Sequence, residues 1–61
     1  MTRDLDALAR AGLRDGILAE LRRRGLDDLE RLSIMTDAEL RRIPNIGTKA
    51  LAVIRACIAA A

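Results

Sequence analysis

The 61 residues predict an all-α fold, a compact bundle of four or five short helices. Apolar residues recur at helical spacing along most of the chain, and no stretch alternates with period two for long enough to make a strand. Gly12 and Gly25 follow two of the helical runs, where helices characteristically stop. About half of the residues (51%) are hydrophobic and none is aromatic, so the core must be aliphatic and tightly interdigitated. A chain of this length makes one domain at most, here 1–61, near the lower limit at which a single core suffices.

The first helix is expected over about residues 3–11, with Thr2 as its cap, Asp4 and Asp6 in its first turn and Gly12 at its end. Leu5, Leu8 and Ala9 give it a narrow apolar stripe, and residues 1–14 form an N-terminal extension helix ahead of the rest of the domain. A second helix is expected from Asp15, as its cap, to Arg24, with Gly25 as the stop. Ile17, Leu18 and Leu21 face inward, and Arg22, Arg23 and Arg24 suit the negative end of the helix dipole. Leu26, Leu29 and Leu32 mark a third helix over about 26–33, with Asp27 or Asp28 near its start.

Residues 36–59 form the most informative segment. Thr36 and Glu39 are spaced as a capping box, in which each side chain satisfies a backbone N–H at the other's position. The helix they open runs to about Arg42, and Pro44 forces Ile43 out of helical geometry. Asn45 and Gly47 are turn residues that tolerate unusual φ values. The last helix covers about 48–59 and has almost no polar face, so either it is the centre of the bundle or one side of it meets a partner.

Composition excludes several classes of function. With no His and a single Cys, the chain cannot supply the three or four N/S ligands of a zinc site. Cys57, between Ala56 and Ile58, is expected to be a small buried hydrophobe, and a lone Cys fits a reducing cytoplasm. The charged start predicts no secretion leader, and no apolar run approaches the length of a membrane span. Without His no general acid–base pair can be nominated, and Asp27-Asp28 is better explained as a helix-start signal, so no enzyme is expected. The absence of aromatic rings removes the platforms on which single-stranded bases stack.

Charge is distributed unevenly. Residues 1–40 hold seven Arg and nine acids, whereas residues 41–61 hold Arg41, Arg42, Lys49 and Arg55 with no acid. The cationic end also carries the Pro44–Gly47 turn and the start of the last helix. A helix start offers free N–H groups and a positive dipole end, the geometry that binds phosphate.

The spacing Leu40-x-x-Ile43-Pro44-Asn45-Ile46-Gly47-x-Lys49-x-Leu51-x-x-Ile54 resembles a helix-hairpin-helix motif. More narrowly, it is similar to the version in the C-terminal domain of the bacterial RNA polymerase alpha subunit, a SAM-like helical fold. The order of Arg24-Gly25, then Leu26, Leu29 and Leu32, then Thr36, Glu39 and Leu40 extends the likeness over about residues 16–59. In that family the domain binds double-stranded DNA in the minor groove, mostly through the backbone, and also touches transcription activators.

The resemblance implies that Gly47 and Lys49 sit at phosphate contacts, while Asn45 and Pro44 shape the hairpin. The N–H groups at Gly47, Thr48 and Lys49 would hold one phosphate, with Arg41, Arg42, Arg22 and Arg23 reaching neighbouring ones. The chain departs from the family at three places. Ala50 stands where a Ser is common, Val53 where an acid is found, and Gly16 where the family has its principal minor-groove Arg, with Arg14 the nearest substitute. The expected function is therefore a small, non-enzymatic, transcription-related module that binds double-stranded DNA without metal or cofactor. The alternative is a protein-interaction or dimerisation module that uses the apolar last helix.

Overall fold

Two glycines make the first corners of the fold. In the computed structural model, which describes residues 3–61, α1 spans Arg3–Arg10 and α2 spans Asp15–Arg23. Thr2, the expected cap of α1, lies outside the described residues. Each helix is followed by a left-handed glycine, Gly12 at φ 108° and Gly25 at φ 73°. Both ends carry the same pair of crossed hydrogen bonds. The Leu13 N–H donates to the Leu8 carbonyl (3.0 Å) and the Gly12 N–H to Ala9 (3.1 Å). Likewise the Leu26 N–H donates to Leu21 (2.8 Å) and the Gly25 N–H to Arg22 (3.1 Å). This Schellman pattern satisfies the last carbonyls of a helix and folds the next apolar residue back onto it. Leu8, Leu13 and Leu21 are accordingly buried, and Leu26 packs against the core.

The start of α2 differs from the expectation by one residue. Arg14 is the cap, with extended backbone (φ −70°, ψ 150°), and Asp15 is the first helical residue. The Arg14 carbonyl accepts from both Ile17 and Leu18, so Asp15 serves the helix dipole rather than the cap.

The third helix is shorter than the Leu spacing predicts, because α3 spans only Leu29–Ser33. Leu26 is already committed to the end of α2, and Asp28 is extended (φ −133°, ψ 148°) with its carboxylate accepting from the Arg31 N–H at 2.7 Å. A second carboxylate arrives from α1, where Asp4 Oδ2 accepts from the Leu29 N–H at 2.9 Å. Two side chains, one local and one from a different helix, thus satisfy the start of α3.

α4 spans Asp37–Arg41 and begins with the capping box. The Glu39 N–H donates to Thr36 Oγ1 (3.1 Å) and the Thr36 N–H donates to Glu39 Oε1 (2.9 Å). The Thr36 backbone N–H, and then its side chain, hold the Glu39 carboxyl below its ordinary value. The stabilisation is present above the ordinary glutamate range and lost as the pH falls through the lowered value.

After α4 the chain turns sharply. The Ile46 N–H donates to the Ile43 carbonyl at 3.2 Å, across Pro44 and an Asn45 with φ 70°. Pro at the second position and a positive φ at the third are the signature of a type II turn. Ile43 and Ile46 are buried on either side, so the tip formed by Pro44 and Asn45 is exposed on a fixed base.

α5, Thr48–Ala60, is the centre of the bundle, packing against α1, α3 and α4. Leu51 and Ile54 are buried, Ala50, Val53, Cys57 and Ile58 are packed against the core, and Ala52, Ala56, Ala59 and Ala60 are exposed. Arg55 fastens this helix to the start of α4, donating from Nη2 to Asp37 Oδ1 and to the Met35 carbonyl, both at 2.8 Å. Cys57 is half-buried rather than fully enclosed, its thiol 3.9 Å from the Ala7 carbonyl.

Candidate nucleic-acid groove

Helix starts are polar problems, and this fold solves them in two ways. α3 and α4 carry side-chain caps. α2 and α5 carry none, their cap positions being Arg14 and Gly47. The two uncapped starts line the same open groove of about 580 Å³. Arg14 and Gly16 come from the start of α2, and Asn45, Gly47, Thr48 and Lys49 from the turn and the start of α5. None of the residues lining it is acidic. Two positive dipole ends, a guanidinium and an ammonium therefore act on one space, with the Asp15 carboxylate offsetting part of the α2 dipole, and the balance attracts anions.

The glycines explain how close a ligand could come. Gly12, Gly16 and Gly47 all line the groove, and a Cβ built on any of them would meet nothing within 4 Å. Gly12 has a backbone reason to be glycine, its φ of 108°. Gly16 and Gly47 have none inside the molecule. Of the two turn residues expected to tolerate unusual φ values, only Asn45 uses that tolerance, since the Gly47 φ of −103° is open to any residue. Gly47→Ala should consequently leave thermal unfolding, followed by circular dichroism at 222 nm, within about 0.5 kcal/mol of the parent. A loss of more than about 1 kcal/mol would show that an internal contact requires the glycine.

The eight expected contact residues divide into two groups. Asn45, Gly47, Thr48 and Lys49 are together in the groove. Arg22, Arg23, Arg41 and Arg42 are outside it. Arg22 and Arg23 sit in the last turn of α2, six and seven residues beyond Gly16, or roughly 10 Å along the helix axis. Arg23 is also held by Glu20 at 2.7 Å, which binds Arg24 at the same distance. Hydrogen bonds from Arg23, and then Arg24, keep the Glu20 carboxyl below its ordinary value. Arg41 and Arg42 end α4 on an exposed edge.

Arg55 needs a separate correction. Counted along the sequence it adds to the cationic end, but Asp37 neutralises it and the Met35 carbonyl takes a further N–H. In exchange the groove has Arg14, whose signal in the sequence is its place immediately before a helix.

Among the described residues, no three His, Cys, Asp or Glu side chains gather as metal ligands would, and no helix is long and apolar enough to cross a membrane. No family model, curated protein or solved structure matches this chain.

Proposed function

We propose that this chain is a small, non-enzymatic module that binds double-stranded DNA through the phosphate backbone. In this proposal it is a helix-hairpin-helix domain related in kind to the C-terminal domain of the bacterial polymerase alpha subunit and serves transcription in a reducing cytoplasm. One observation carries the reading. The uncapped starts of α2 and α5 line one acid-free groove, together with Arg14 and Lys49.

One phosphate would accept hydrogen bonds from the first N–H groups of α5, with the Lys49 ammonium beside it. Arg14 would hold a second phosphate from across the groove. Gly16 and Gly47 leave the backbone bare, so phosphate oxygens can approach to hydrogen-bond distance. Val53 and Ala50, where the alpha subunits have an acid and a Ser, add apolar lining to the groove. Contacts of this kind position the protein on a duplex and carry little sequence information.

A lone module with so few phosphate contacts binds weakly, at about 10⁻⁴ to 10⁻⁶ M, and reaches useful affinity only beside a second DNA-binding unit. Two groove cations predict a slope of log K against log salt of about −1.8, and recruitment of Arg41 and Arg42 as well would raise it to about −3.6.

The test is a titration of fluorescent duplex DNA at two salt concentrations. Lys49→Glu should weaken binding by about tenfold or more, and Gly16→Arg, for which there is open space, should tighten it and steepen the slope by about 0.9. Absence of binding at about 1 mM duplex sites would overturn the proposal. A dimer seen by sedimentation in the same samples would favour self-association through the exposed Ala52, Ala56 and Ala59 of α5.

A further inference from the structure

A second groove, of about 460 Å³, shares no residue with the first. It is lined by residues at the C-terminal ends of α2 and α4 together with Met35 and Glu39. Arg24 and Arg42 lie on its rim, and Leu26, Met35 and Ile43 make its apolar floor. Ile43 is buried, whereas Leu26 and Met35 are only half-buried and remain accessible. Glu39 is the one acid that lines it, and its carboxylate is already bound to the Thr36 N–H.

The surroundings are strongly cationic. Arg22, Arg23 and Arg24 end α2, and Arg41 and Arg42 end α4. Against these five arginines stand Glu20, engaged by Arg23 and Arg24, Glu39, engaged by Thr36, and Asp27 and Asp28 beside Leu26, the latter paired with Arg31, for a local balance of +2 with Arg31 counted. Of the four arginines left outside the first groove, Arg42 lines this one, and Arg22, Arg23 and Arg41 lie within two residues of its rim in the sequence.

We propose that this second groove docks an acidic protein segment with one aliphatic or aromatic anchor, the anchor on Leu26 and Met35 and its flanking carboxylates on Arg24 and Arg42. Charge complementarity selects the sign of the partner. The floor selects its class, because a sugar-phosphate backbone has no protruding apolar side group to bury against Leu26 and Met35, whereas a peptide does. Met35 suits such a site, since its unbranched, polarisable side chain adapts to different anchors. The proposal is independent of DNA binding at the first groove.

The probe is a synthetic acidic peptide of about twelve residues with a central Leu-Leu pair flanked by Asp and Glu. It is titrated into the ¹⁵N-labelled full chain and followed by amide chemical shifts. Shifts should fall at Arg24, Leu26, Met35 and Arg42, with Gly47 and Lys49 unmoved. Arg42→Glu should weaken the peptide by about fivefold with a fall of only a few degrees in melting temperature. Arg42→Gln, which nearly keeps the size and adds no negative charge at the end of α4, should weaken it less while leaving the melting temperature unchanged. Replacing Leu-Leu in the peptide by Ser-Ser should weaken binding by at least as much. No shifts at about 2 mM peptide would overturn the proposal. Equal binding by the Ser-Ser peptide would overturn it too, and so would equal displacement of the Arg24 and Arg42 amides by a short duplex DNA.

Discussion

Ile54→Ala is expected to remove about 2–5 kcal/mol, a large share of the stability of this domain. Ile54 is 0% exposed, on the central helix α5. Truncating a fully buried Ile to Ala costs about 2–5 kcal/mol, through lost burial and the cavity left behind. At roughly 0.05–0.15 kcal/mol per residue, a domain of this size has about 3–9 kcal/mol in total. With no aromatic residue in the chain, no large ring is at hand to close the gap by shifting. Ile34→Ala is the control, since Ile34 is 81% exposed and the same substitution there should cost less than about 0.5 kcal/mol. Urea unfolding followed at 222 nm measures both. If Ile54→Ala lost under about 1 kcal/mol, α5 would not be the centre of the core.

Asp4→Ala should lower stability by about 1–2 kcal/mol, which in a domain this small is about 4–15 °C in melting temperature. The Asp4 carboxylate accepts from the part-buried Leu29 N–H and so joins α1 to the start of α3 across 25 residues. Removing it leaves that N–H without its acceptor. Asp4→Asn keeps an acceptor oxygen and should recover part of the loss. Asp6, in the same first turn but exposed, is the reference position, and Asp6→Ala should change little. Equal effects at the two sites would mean that Asp4 acts only through the dipole of its own helix.

Asp4 also shows where sequence reasoning stops. Its place in the first turn of α1 is a local signal, and local signals are legible. The Thr36–Glu39 capping box, the glycines after α1 and α2, the Pro44 turn and the buried Leu and Ile positions all depend on residues within four or five of one another. The structure has them where the pattern predicts. What depends on two distant segments is not legible. Nothing in the spacing says that a carboxylate of α1 caps α3, that Asp37 claims Arg55, or that α2 and α5 begin at one groove.

The short α3 is an intermediate case. Leu26, Leu29 and Leu32 have helical spacing, but Leu26 had two local claims on it, and the end of α2 prevailed. Half of the candidate site was visible because the turn and the start of α5 are continuous in sequence. The other half, Arg14 and Gly16, stood out only through the resemblance, and that both line one groove with Lys49 required the fold. Arg22, Arg23, Arg41 and Arg42 have the right charge for the same surface but sit at helix ends that point elsewhere.

The central position of α5 has a consequence for biosynthesis. During translation α1 to α4 leave the ribosome before α5, against which α1, α3 and α4 pack, so they have no completed core on which to settle. The nascent chain stays exposed to proteases and chaperones until α5 emerges, and the domain then folds as a unit. A ribosome stalled short of Ile54 would hold a chain without native protection, and one stalled well beyond residue 61 would hold the finished domain.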